Sequence, residues 1–66
     1  MAEGPKVRDV IERLLKDGWY LDRQSGSHRQ YRHDTKQGLV TIAGALGTNL
    51  PIGTYKNIMK QAGWKR

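Results

Sequence analysis

The chain has two histidines, and the first of them closes the tripeptide Gly26-Ser27-His28. Histidine has an ordinary pKa of about 6.5, so it takes up and releases protons near neutral pH. Ser25-Gly26-Ser27 reads as a tight turn, which sets backbone N–H groups beside the imidazole, where they can hold an oxyanion. Arg29 and Arg32 follow in the same stretch, and guanidinium groups neutralise phosphate charge. A proton-transfer group, oxyanion donors and cations within residues 26–32 are what cleavage of a phosphodiester with a neighbouring hydroxyl requires.

RNA is such an ester. Removal of the 2′-hydroxyl proton lets that oxygen attack the adjacent phosphate, which leaves a 2′,3′-cyclic phosphate and a free 5′-hydroxyl without a metal. His28 suits the general base or the acid that protonates the leaving oxygen; His33 and water are the candidates for the other transfer. Taken alone, a histidine at a hairpin rim is more often an ordinary surface residue than a catalyst. Its neighbours and the charge of the chain favour the chemical reading. His33, by contrast, reads as structural. Ser25 and Ser27 read as turn formers rather than members of a Ser-His-Asp set, and Gly44-Ala45-Leu46-Gly47-Thr48 lacks the Gly-Lys-Ser/Thr ending of a nucleotide-binding loop.

The charge supplies a partner. Twelve Lys and Arg stand against six Asp and Glu, a net charge of +6. All the acids lie among residues 1–34, where they nearly balance the bases; Lys36, Lys56, Lys60, Lys65 and Arg66 then follow with no acid between them. Such a field attracts polyanions and favours nucleic acid through counterion release. Without cysteine, disulfides and cysteine-ligated zinc are excluded, and no histidine or acidic spacing suggests a metal site. No cofactor or small-molecule ligand is expected. The apolar runs are too short for a membrane span or a signal peptide, so the expected location is the cytoplasm.

The elements that must hold these residues fit one domain over residues 1–66. Pro5 suits the first turn of a helix, and Val7, Val10, Ile11, Leu14 and Leu15 form one helical stripe, so the spacing predicts a helix over 5–17 ended by Gly18. Residues 19–24, 28–33 and 39–42 read as three strands of an antiparallel meander. Residues 43–52 read as a connection, and residues 54–62 as a second helix capped by Gly53 or Thr54, with Lys56 and Lys60 on its outer side. Both helices need one sheet face to bury their stripes, which predicts a two-layer α+β sandwich: helix, three-stranded antiparallel sheet, helix. Alternation puts Tyr31 under the helices and leaves His28, Gln30 and Arg32 on the open face. Ser27, Arg29, Gln30, Arg32, Lys56 and Lys60 are the candidate RNA contacts. Trp19 and Trp64 each follow a helix-ending glycine and read as edge-of-core residues.

The order of these pieces resembles the HicA family of toxin mRNA interferases, the partners of HicB antitoxins. The resemblance rests on Asp17-Gly18-Trp19, Gly26-Ser27-His28 with Tyr31, Arg32-His33, and Gly53-Thr54 leading to Lys60-Gln61-Ala62-Gly63. It implies a double-stranded-RNA-binding-domain-like fold, metal-independent mRNA cleavage with His28 as the catalytic residue, and neutralisation by an antitoxin that covers that site. At one place the chain departs from the resemblance: where many members carry a Pro and a second His after the third strand, it reads Ala43-Gly44-Ala45-Leu46. Two other functions compete, a non-catalytic RNA-binding module and a domain whose basic face docks an acidic protein.

Overall fold

The computed structural model describes residues 3–64. The elements in order are β1 (Glu3–Lys6), α1 (Val7–Lys16), β2 (Trp19–Ser25), β3 (His28–His33), β4 (Val40–Ile42), β5 (Asn49–Pro51) and α2 (Ile52–Ala62). Strands β2, β3 and β4 form an antiparallel sheet with β3 in the centre, and both helices cover one of its faces. The α+β sandwich of two helices on a three-stranded meander is therefore as expected. An additional two-stranded ribbon, β1 with β5, was not foreseen.

That ribbon changes both helix starts. Pro5 lies in β1 rather than in the first turn of α1, which begins at Val7 with no side-chain cap. Two of the free N–H groups of its first turn are met from outside: Val7 donates to the Thr48 carbonyl at 2.9 Å and Arg8 to the Leu46 carbonyl at 3.0 Å. Asn49 also donates through Nδ2 to the Gly4 carbonyl at 2.9 Å. The strand signal was weak because each arm contains a proline, which a sheet tolerates only at its margin. Pro51 in turn presets the entry into α2, so that helix starts at Ile52 and neither Gly53 nor Thr54 is its cap.

The core joins Val7, Val10 and Leu14 of α1, Ile58 and Ala62 of α2, and Trp19, Tyr31, Val40 and Ile42 of the sheet. Leu15 does not join it and is 54% exposed. At about 100° per residue it stands roughly 80° around α1 from Val7, past the rim of the buried stripe.

One carboxylate ties the ends of the elements together. Asp17, at the C-terminus of α1, accepts at Oδ2 from Lys36 Nζ (2.7 Å), Trp19 Nε1 (3.0 Å) and Trp64 Nε1 (3.0 Å). Lys36 donates as well to the Ala62 carbonyl at the end of α2 (3.1 Å). Trp64 packs against the core, as expected, whereas Trp19 is only 2% exposed and belongs to the core rather than to its edge. Next to Asp17, Gly18 adopts φ +98°, and a Cβ there would meet His33 Nε2 at 2.8 Å.

Two outcomes follow. The Lys36 ammonium above all, then the Trp64 and Trp19 N–H groups, outweigh partial burial and lower the Asp17 pKa from 3.8 to about 2. A carboxyl depressed in the folded state stabilises it above the ordinary carboxylate range and loses that contribution as the pH falls toward 2. The melting temperature of the parent chain is therefore expected to fall progressively below about pH 4, and Asp17→Asn is expected to flatten that part of the profile. Gly18→Ala is expected to cost about 1–3 kcal/mol in urea denaturation, from the positive φ and the displaced imidazole together.

Candidate functional site

His28 begins β3 and lies opposite Ser25 across a two-residue hairpin turn formed by Gly26 and Ser27. Gly26 adopts φ +59° and, among the described residues, no residue type other than glycine has a positive φ, Ser27 included, the signature of a II′ turn with glycine in its first central place. Gln24 donates through Nε2 to the Gly26 carbonyl at 3.0 Å. From below, Arg29 Nη1 approaches the Ser27 carbonyl at 3.5 Å and the Gly44 carbonyl at 3.3 Å. Among the described residues, the N–H groups of Gly26 and Ser27 have no backbone acceptor. The turn is thus braced through its carbonyls while two donors stay available beside His28.

Register fixes the faces. Tyr31 pairs with Val40 and Arg29 with Ile42, all on the helix side, where burial raises the Tyr31 hydroxyl above its usual range and the Arg29 charge partly offsets this. His28, Gln30 and Arg32 therefore face the opposite, uncovered side, as alternation predicted. Beside them on β2 stand Ser25 opposite His28, Arg23 opposite Gln30, and Tyr20 opposite Arg32. A bulge between Leu21 and Arg23 makes Asp22 the extra residue. Its carboxylate Oδ2 accepts from Arg32 Nε at 3.2 Å, so Asp22 and Arg23 both serve the open face.

The structure does not bring all the candidate contacts together. His28, Ser27, Gln30 and Arg32 share the hairpin and the open face. Arg29 occupies the other side, engaged with the carbonyls of Ser27 and Gly44. Lys56 and Lys60 are exposed on α2, whose buried residues Ile58, Met59 and Ala62 face the sheet; the two lysines stand behind the sheet from His28. Tyr20 and Arg23 were missed. The signal for Tyr20 was its place between Trp19 and Leu21, whereas Arg23 reaches this face only through the bulge.

The two histidines have opposite environments. His28 is exposed, and the side-chain hydrogen bonds of the described residues do not include it. His33 donates from Nε2 to the Asp17 carbonyl at 2.8 Å and accepts at Nδ1 from the N–H groups of Thr35 (3.1 Å) and Lys36 (3.3 Å). Its ring meets Trp19 edge-on, with centroids 5.3 Å apart. It stands at the far end of β3, about 17 Å along the strand from His28 and on the other face, out of reach as a proton-transfer partner. Among the described residues there is no group of three or more His, Cys, Asp or Glu that could hold a metal ion, and no helix long and apolar enough to cross a membrane.

No curated protein matches the chain in sequence. A family model, described as the HicA toxin of bacterial toxin–antitoxin systems, matches residues 7–64, from the first residue of α1 to Trp64 at the Asp17 cluster. That span contains both helices, the whole meander and the His28 hairpin. The chain belongs to the HicA family of toxins.

Proposed function

We propose that this toxin is a metal-independent endoribonuclease that cleaves mRNA, with His28 as its general acid–base. The observation that carries this reading is the position of His28: solvent-exposed, its imidazole outside the side-chain hydrogen bonds of the described residues, and beside two free turn N–H groups on the open face of the sheet. His28 takes the proton from a 2′-hydroxyl as that oxygen bonds to phosphorus. The bond from phosphorus to the 5′-oxygen breaks, and the departing oxygen takes up a proton. Water carries this second transfer, since His33 is held at the other end of the strand. The N–H groups of Gly26 and Ser27 stabilise the charge on the phosphorane, while Arg32, farther along the strand, meets the RNA backbone.

The remaining candidates take supporting places. Arg29 holds the turn in shape from below, Gln30 and Ser27 meet the RNA beside the cleaved bond, and Lys56 and Lys60 add to the field that draws RNA in from the helix side. Neutralisation is by a HicB-type antitoxin that covers the His28 face, and the action is in the cytoplasm. A second reading, a non-catalytic RNA-binding module, is favoured by one observation: no second titratable group stands close to His28 among the described residues of the open face, Asp22 being paired with Arg32.

Incubation of the full chain with mRNA in EDTA separates them. Cleavage is expected to proceed and to yield 2′,3′-cyclic phosphate and 5′-hydroxyl ends. His28→Ala is expected to lower the rate by about 10²–10⁴-fold with unchanged circular dichroism. Full activity in that variant would remove His28 from the mechanism, and RNA binding without products would favour the second reading.

A further inference from the structure

Tyr20 is an aromatic side chain of the open face that neither the core nor the proposed cleavage employs. It is 44% exposed. Its neighbour Trp19 is buried, and Leu21 lies opposite buried Tyr31, so alternation turns the Tyr20 ring to the side that carries His28. There it lies opposite Arg32, whose guanidinium is held by Asp22, and the side-chain hydrogen bonds of the described residues leave its hydroxyl out. Three cross-strand pairs run down this face: Ser25 with His28, Arg23 with Gln30, and Tyr20 with Arg32. The last is about 13 Å from the first, a span of a few nucleotides, with the Arg23 guanidinium between them.

A flat aromatic surface at the end of a cationic track is how proteins hold unpaired bases. Backbone phosphates follow the positive side chains and a base stacks on the ring. Paired bases cannot use it, because their faces are already stacked within the duplex. We infer that the open face takes single-stranded RNA, with a base stacked on Tyr20 a few nucleotides from the bond presented to His28. This rests on the reading of the face as an RNA site and adds its strandedness and the residue that sets where the strand lies. The competing explanation is that an aromatic side chain merely suits an edge strand.

The experiment uses the full chain carrying His28→Ala, so that RNA is bound and not consumed, and follows the fluorescence anisotropy of a labelled single-stranded RNA. Adding Tyr20→Val, which keeps the strand preference and removes the ring, is expected to weaken binding about 10-fold, whereas Tyr20→Phe keeps the parent affinity. The salt dependence is expected to stay unchanged with Tyr20→Val and to fall with Arg23→Ala, since only the latter loses a phosphate contact. A duplex of the same sequence is expected to bind more weakly than the single strand. Unchanged affinity with Tyr20→Val, or equal affinity for duplex and single strand, overturns the inference and leaves the RNA site standing. A parent chain that binds no RNA overturns both.

Discussion

The Asp17 carboxylate is the contact on which the rest of the molecule depends. A small fold has little core to spare, so the places where its elements end must be fixed by something other than apolar area. Here one oxygen collects an ammonium and two indole N–H groups from three different segments. Indole N–H groups that are largely withdrawn from water need an acceptor, and an ionised one is worth more than a neutral one. The backbone of the same residue takes part as well, since its carbonyl accepts from His33. The end of α1, the entry to β2, the exit of β3 and the end of α2 are held around one residue.

That anchoring decides the roles of the two faces. With Trp19 fixed inward at the start of β2, the pairing of β2 with β3 sends Tyr31 inward too and leaves His28 outward. The two histidines of one strand are thereby separated into a structural group and an available one. His33 has both ring nitrogens engaged, whereas His28 has its hydrogen-bonding capacity left for a ligand. The guanidinium groups divide in a similar way. Arg29 is committed to carbonyls beneath the turn, and Arg13 lies over the Trp64 ring at 4.1 Å while donating to the Tyr55 hydroxyl. On the open side Arg32 is paired with Asp22, and Arg23 has no ion-pair partner among the described residues. The value of +6 therefore overstates how much positive charge is free, and its distribution matters more than its size.

Much of this was legible in the sequence. The stripe of Val7, Val10 and Leu14, the aromatic and β-branched strands, and the Gly26-Ser27 turn each follow local rules that the tertiary structure did not override. The placement of His28 followed from Tyr31 by alternation alone. The parts that were not legible depend on partners distant in the chain. The β1–β5 ribbon pairs two short segments that are 45 residues apart at the Asn49–Gly4 hydrogen bond, and the prolines in both arms conceal it. The bulge at Asp22 has no glycine to announce it, so Arg23 could not be assigned a face. The role of Asp17 is hidden because two of its three donors, Lys36 and Trp64, lie far along the chain.

The bulge at Asp22 also bears on how the molecule behaves in a crowd. Strand β2 is one margin of the sheet and β4 the other, and a sheet margin is a row of open backbone groups that another chain can zip onto. An extra residue breaks the even spacing of that row, twists it, and places a carboxylate in its middle, while β4 is only three residues long. Neither border offers a long straight template. The sheet can keep one face bare for a ligand without growing into fibrils, and the residue that steers Arg32 also limits uncontrolled self-assembly.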